Sequence, residues 1–402
     1  MLRCALLLVV ATIVTPSGVA AATSARYGVH YQAEFQPEAH GVLVHIDIRQ
    51  RKGQLRLLDF NAPASRYGEF EGDGTIRRQG DRLVWTVPRT GGRLSYRVGV
   101  DHRRGDAYDA RMGDNWAVLR LDDLFPPARV RARAGAESHA TLSLSGPPGW
   151  SFETGYGPSN DTIQVANPDR RFDRPVGWMA AGELGIRRDK LGERRVSVAG
   201  PTGESFRRMD ILAFVRWTLP QLVSVLPSFP ERMLIVGGSD DMWLGALSGP
   251  NAIYLHPGRP LISENGTSTL LHELVHAAMT VAPEHGDDWI AEGLAEYYSL
   301  AVLTRSGGIS GRRYERSLAS LKEWADRDGG HLADPSTGPD TAYATLLFRD
   351  LDLELISAGS SLDAVVGPLF AGDQIGRARL EELVEAALGR PSRVLGAVAG
   401  GS

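Results

Sequence analysis

The run His272-Glu273-Leu274-Val275-His276 carries the most specific chemical signal in this chain. On an α-helix, side chains four positions apart stand one above the other on the same face. The imidazoles of His272 and His276 are therefore spaced to aim at one divalent ion. Glu273 lies beside that ion, where a carboxylate takes a proton from water. A catalytic zinc centre needs three protein ligands and one open position. A second run, Trp289-Ile290-Ala291-Glu292-Gly293-Leu294-Ala295-Glu296-Tyr297, supplies the natural third ligand, Glu292, on a helix packed against the first. These spacings imply one Zn²⁺ per chain and a hydrolytic reaction.

The elements that must hold these groups are legible around them. Thr267, Ser268 and Thr269 offer N-caps before the apolar positions Leu270, Leu271, Leu274, Val275 and Ala278. Residues 287–303 read as a second amphipathic helix, with Asp287 and Asp288 at its start. Upstream, the apolar runs 233–236 and 252–255 predict short strands. Met209, Leu212, Ala213, Val215 and Trp217 predict a helix interrupted near Pro220. Downstream, helices are predicted over 312–326, 341–357, 362–370 and 378–388, with a frayed glycine-rich end from Gly396. A small sheet followed by helices is an α+β catalytic unit. Across residues 25–175 the period is two instead: Val42, Val44, Ile46 and Ile48 alternate with Leu43, His45 and Asp47, and Leu94, Tyr96, Val98 and Val100 with Arg93, Ser95 and Arg97. That pattern predicts an N-terminal antiparallel β-sandwich, and residues 175–182 read as the crossover out of it. The expected division is a leader at 1–22, a β-sandwich domain at 23–175 and a catalytic domain at 176–402.

The leader reading rests on Met1-Leu2-Arg3, an apolar stretch over 5–14 and the small residues Ala20, Ala21 and Ala22, the three parts of a secretory signal peptide. Its apolar stretch is too short to span a bilayer, and no later one reaches that length. The single cysteine, Cys4, lies inside it. The cleaved chain then forms no disulfide and must hold any metal with histidines and carboxylates. Secretion without disulfides points to a bacterial periplasm. With a net charge of −4, the chain has no basic field for nucleic acid or an anionic membrane. Its positive charge is nearly all arginine, the lysines being Lys52, Lys190 and Lys322. The expected partner is a peptide or protein substrate, with no nucleic acid and no stable membrane insertion.

The pairing of H-E-x-x-H with W-x-x-E-G-x-A-E-Y resembles the gluzincin metallopeptidases, which include thermolysin and the alanyl-type aminopeptidases. Among these the chain is most similar to the glycyl aminopeptidase family, through Leu351-Asp352, Ser361-Leu362-Asp363-Ala364-Val365 and the stretch 175–182. The resemblance implies a thermolysin-like catalytic domain behind a β domain. Within it His272, His276 and Glu292 are the zinc ligands. Glu273 is the general base that later protonates the leaving amine. The resemblance also implies Glu296 as the carboxylate that orients a ligand histidine, and Tyr343 as the donor to the tetrahedral oxyanion. Tyr297 and Tyr298 are expected to pack, and His256, His285 and His331 to lie at the surface.

This sequence departs from those families in three places. Aminopeptidase relatives carry a glutamate that grips the substrate's free amine. In the matching run Gly245-Ala246-Leu247-Ser248, a serine stands at that position, so strict aminopeptidase specificity does not carry over. The interval from His276 to Glu292 is shorter than in the alanyl-type relatives and demands a tight loop over 283–288. After Leu388 too little chain remains for the C-terminal peptide-binding module of the glycyl family. Three readings stay open: an active zinc peptidase, a metallohydrolase of a non-peptide amide or epoxide, and a retired scaffold that keeps the helix pair for structure.

Overall fold

Alternate residues of the strand Ala25–Gln36 (Tyr27, Val29, Tyr31, Ala33 and Phe35) are buried, and the same alternation runs through Gly41–Arg49 and Gly91–Gly99. The computed structural model describes residues 25–158, 162–166 and 172–399, and the expected leader at 1–22, with Cys4, lies outside them. These strands belong to a six-stranded sheet. A second six-stranded sheet contains Ser151–Thr154, Trp178–Gly182, Trp116–Arg120 and Ala107–Met112, and a four-stranded sheet contains Leu55–Asn61 and Arg82–Thr86. All three share one core, in which Tyr31, Trp85, Tyr96 and Phe125 are fully buried.

The expected two-sheet sandwich is thus replaced by three sheets around one core. One pairing in the first sheet is also parallel, Ala25–Gln36 with Ala136–Ser145. A period of two fixes which residues face inward but not which strand is the neighbour. Residues 175–182 are corrected too. Trp178–Gly182 is a strand paired on both sides, and it is buried along its whole length. Met179 and Ala181 face the N-terminal core, while Trp178 and Ala180 face the sheet that follows. A strand covered on both faces loses the alternation that would reveal it.

That following sheet has five strands in the order Leu184–Leu191, Arg194–Pro201, Arg232–Val236, Ala252–Leu255 and Ala246–Gly249. Its two inner pairings are parallel. The edge strand Ala246–Gly249 returns antiparallel through a two-residue turn, Pro250-Asn251. Asn251 takes φ 55° there, a left-handed conformation that asparagine tolerates. Leu234, Val236 and Tyr254 pack this sheet on the N-terminal strands, and Val198, Ile235 and Ile253 face the helices.

Nine helices complete a mixed α+β fold among the described residues: α1 (Leu121–Leu124), α2 (Arg208–Val225), α3 (Thr269–His276), α4 (Asp288–Arg305), α5 (Gly311–Asp328), α6 (Pro339–Ser357), α7 (Asp363–Phe370), α8 (Arg377–Leu388) and α9 (Arg393–Ala399). Helix α2 continues through Pro220 instead of breaking there. Pro220 and Arg216, the residue whose carbonyl loses its partner, both lie on the exposed face, where water replaces the missing bond. The tail expected to fray from Gly396 belongs to α9 as far as Ala399. None of these helices is long and apolar enough to cross a membrane.

Candidate metal centre

Helix α3 begins where the side chain of Ser268 accepts the Leu271 N–H, and it buries Leu270, Leu271, Leu274 and Val275. That burial turns the 272/276 face toward α4. Helix α4 is apolar nearly all round and runs through the middle of the helical core. Gly293 lets α6 approach it closely, since a Cβ there would sit 2.7 Å from Ala344 Cβ and 2.9 Å from Phe348 Cε2. The loop joining α3 to α4 is held by the segment that leads into α8. Glu284 N–H donates to Ile375 O at 2.8 Å, and Asp287 accepts the Arg377 N–H at 2.7 Å.

These helices bring His272, His276 and Glu292 together. His272 Nε2 lies 3.0 Å from His276 Nε2 and 3.3 Å from Glu292 Oε2, and His276 Nε2 lies 3.2 Å from Glu292 Oε1. Tetrahedral coordination with bonds of 2.0–2.2 Å sets neighbouring donors about 3.3–3.5 Å apart. The two imidazole nitrogens, each measured to a different oxygen of the Glu292 carboxylate, are within a few tenths of an ångström of that spacing, so this donor set fits a zinc ion.

Glu296, one turn after Glu292, accepts from His272 Nδ1 at 3.0 Å. A carboxylate only accepts, so Nδ1 carries a proton, and on binding a cation Nε2 would turn its lone pair into the site. Burial opposes charging His272, but the bonds from Glu292 and Glu296 and the nearby Glu273 outweigh it and hold the imidazole well above its usual range. Burial likewise opposes ionising Glu292, and the two histidines outweigh it, keeping that carboxyl well below the usual carboxylate range. The pocket is thus organised around positive charge.

No protein-family model and no curated protein matches the sequence. The fold is similar to that of an aminopeptidase N family protein from Idiomarina loihiensis, with TM-score 0.64, 15% identity, and 90% of this chain and 71% of that one covered. It is also similar to yeast LTA4 hydrolase in complex with bestatin, with TM-score 0.51, 16% identity, and 91% and 67% covered. Native yeast LTA4 hydrolase gives TM-score 0.51, 16% identity, and 91% and 68% covered. Identity this low carries the fold alone; the site stands on its own geometry.

Glu273 is buried, and its Oε2 accepts the backbone N–H of Ser248 at 2.7 Å. The edge strand thus grips the carboxylate beside the metal ligands. Sequence reasoning weighed only the side chain at 248, and a backbone donor leaves no mark in residue identity. Tyr343 stands half-buried on α6, next to the Ala344 that meets Gly293, and makes no side-chain hydrogen bond among the described residues. Tyr297 and Tyr298 are buried and donate to Asp352 at 2.5 Å and Asp363 at 3.0 Å. Asp352 also accepts the Leu362 N–H at 2.7 Å, joining α4 and α6 to the start of α7. An acid between Leu351 and Leu355 on a buried helical face was the available signal for it. His256 is corrected: it is buried, with Nδ1 accepting the Gly258 N–H at 2.9 Å, so it organises its own loop. His285 and His331 are exposed.

Proposed function

We propose that this chain is a zinc-dependent hydrolase of peptide bonds. One observation carries the reading: two imidazole nitrogens and the Glu292 carboxylate converge at near-tetrahedral spacing, with a second carboxylate beside them gripped by the edge strand. Zn²⁺ held by His272, His276 and Glu292 would polarise the scissile carbonyl and acidify a water. Glu273 takes the proton of the attacking water on the oxygen that Ser248 leaves free and passes it to the departing amine. Glu296 keeps His272 in the tautomer that presents Nε2. Tyr343 donates to the oxyanion that grows only as the transition state is reached. A peptide would lie along the edge strand Ala246–Gly249, which has no further strand paired on its outer side among the described residues. Ser248 offers no carboxylate to an ammonium group, which favours substrates whose N-terminus is not the recognised feature.

The division at 175, with residues 23–175 shaping the cleft and 176–402 doing chemistry, is part of this proposal, as are a cleaved leader at 1–22 and a periplasmic location. Purified protein assayed for metal and for cleavage of a peptide library tests the function. Near-stoichiometric zinc and chelator-sensitive cleavage are expected, and Glu273→Gln should keep the metal while losing two or more orders of magnitude in rate. Full activity in Glu273→Gln, or a protein that binds no zinc, removes the mechanism.

A further inference from the structure

Lys190, Arg195 and Arg232 stand abreast across the first three strands of the catalytic sheet. Lys190 is the antiparallel partner of Arg195, and Arg195 is the parallel partner of Arg232. Register partners share a face, and neighbouring strands lie about 4.8 Å apart. Like charges directly opposite one another work against the sheet that carries them. Yet Arg195 and Arg232 make no ion pair and no side-chain hydrogen bond among the described residues. Lys190 reaches Glu193 only at 3.9 Å, with both side chains mostly exposed, and the Asp189 carboxylate goes to Arg216 at 3.3 Å. Arg188, one pleat further along the same face, shows the contrast, because it is paired with the buried carboxylate of Glu153.

This row lines a groove of about 400 Å³ whose other wall is Thr154, Gly155, Gly157 and Pro158 from the N-terminal sheets. Gly157 has φ 120°, a conformation that favours glycine, and a Cβ there would come into contact with Arg232 Nη1 at 3.4 Å, which places that guanidinium against the wall. The groove is on the face of the sheet away from α3 and α4. Val196, Met233 and Ile235 point to the helical core, whereas Leu234 points to the N-terminal strands. It is therefore separate from the metal centre, and nothing about it depends on hydrolytic activity.

We propose that this groove binds a small phosphate-bearing anion, with a phosphate or pyrophosphate group bridging Lys190, Arg195 and Arg232. Guanidinium forks match phosphate oxygens two at a time, and three adjacent cations call for more than one negative charge on the ligand. Binding ties the wall to the floor and so stabilises the seam between the N-terminal sheets and the catalytic sheet.

Thermal unfolding of the full chain in low-salt buffer, titrated with inorganic pyrophosphate, tests the site. Saturating pyrophosphate should raise Tm by roughly 3 °C, while sodium chloride at matched ionic strength does not. The double variant Arg195→Gln/Arg232→Gln should lose that response. Without any anion it should unfold at the parent's temperature or slightly above, because the mutual repulsion is gone. An equal rise in chloride, or an unchanged response in the variant, overturns the site. A rise with citrate as large as with pyrophosphate overturns the phosphate assignment. A variant that is less stable than the parent without anion shows that the arginines hold the fold, and also overturns the proposal.

Discussion

The two large cores of this protein treat their buried polar groups in opposite ways. In the N-terminal core, Tyr31, Tyr67 and Tyr96 each donate to a backbone carbonyl, of Asp173 at 2.8 Å, Asp123 at 2.7 Å and Leu124 at 2.7 Å. Each of these hydroxyls has its acceptor within the chain. In the helical core, His272 Nε2 and His276 Nε2 lie 3.0 Å apart, and each lies within 3.3 Å of one oxygen of the Glu292 carboxylate. In the proposed function a zinc ion would complete that cluster. Polar groups paired one to one hold a fold, whereas a cluster of metal-ligating groups turned toward one another is a candidate site.

After the loss expected from Glu273→Gln, the next largest effect tests how far the metal cluster depends on its supporting carboxylate. Glu296→Gln should weaken zinc binding by roughly 10- to 100-fold with little change in Tm of the metal-free protein, measured by competition with a chromogenic chelator. Unaltered affinity would show that His272 needs no orienting partner.

Stability measurements sharpen the contrast between the cores. Asp352→Ala strands the Tyr297 hydroxyl and the Leu362 N–H, both buried, and should cost on the order of 3 kcal/mol in denaturant unfolding. Tyr96→Phe removes one neutral bond in the other core and should cost about 1 kcal/mol. Equal losses from the two variants would erase the distinction between charged and neutral buried partners.

The smallest effect concerns α9. Burial works against ionisation of Glu354, but the Ser392 hydroxyl, the Arg393 and Val394 N–H groups and Arg390 outweigh it and hold its carboxyl down to about 2. Its folded value lies below the unfolded one. The attachment is therefore fully present above the ordinary glutamate range near pH 4.5 and is lost as pH falls through about 2. Amide exchange in α9, relative to α6, should quicken on acidification across that window. Glu354→Gln should show the faster exchange already at pH 6.

Local signals made α3 and α4 readable: an N-cap at Ser268, apolar positions at helical spacing, and His272, Glu273 and His276 within a single helix. The strand Trp178–Gly182 escaped because burial on both faces removed its alternation. The continuation of α2 through Pro220 escaped because Pro220 sits on an exposed face, where losing one backbone bond costs little. His256 escaped because a lone histidine in a loop looks the same whether it is solvated or folded under its own turn.

By itself the sequence determined which residue types stand four apart on one helix and which carboxylates follow on the next, because helical periodicity converts spacing into a shared face. Tertiary structure alone decided that Glu292 closes the gap between two imidazoles, that the backbone of Ser248 grips Glu273, and that three cations line up across a groove. Those contacts join segments far apart in the chain. Their geometry is set by helix packing and strand register, which no local pattern of residues encodes.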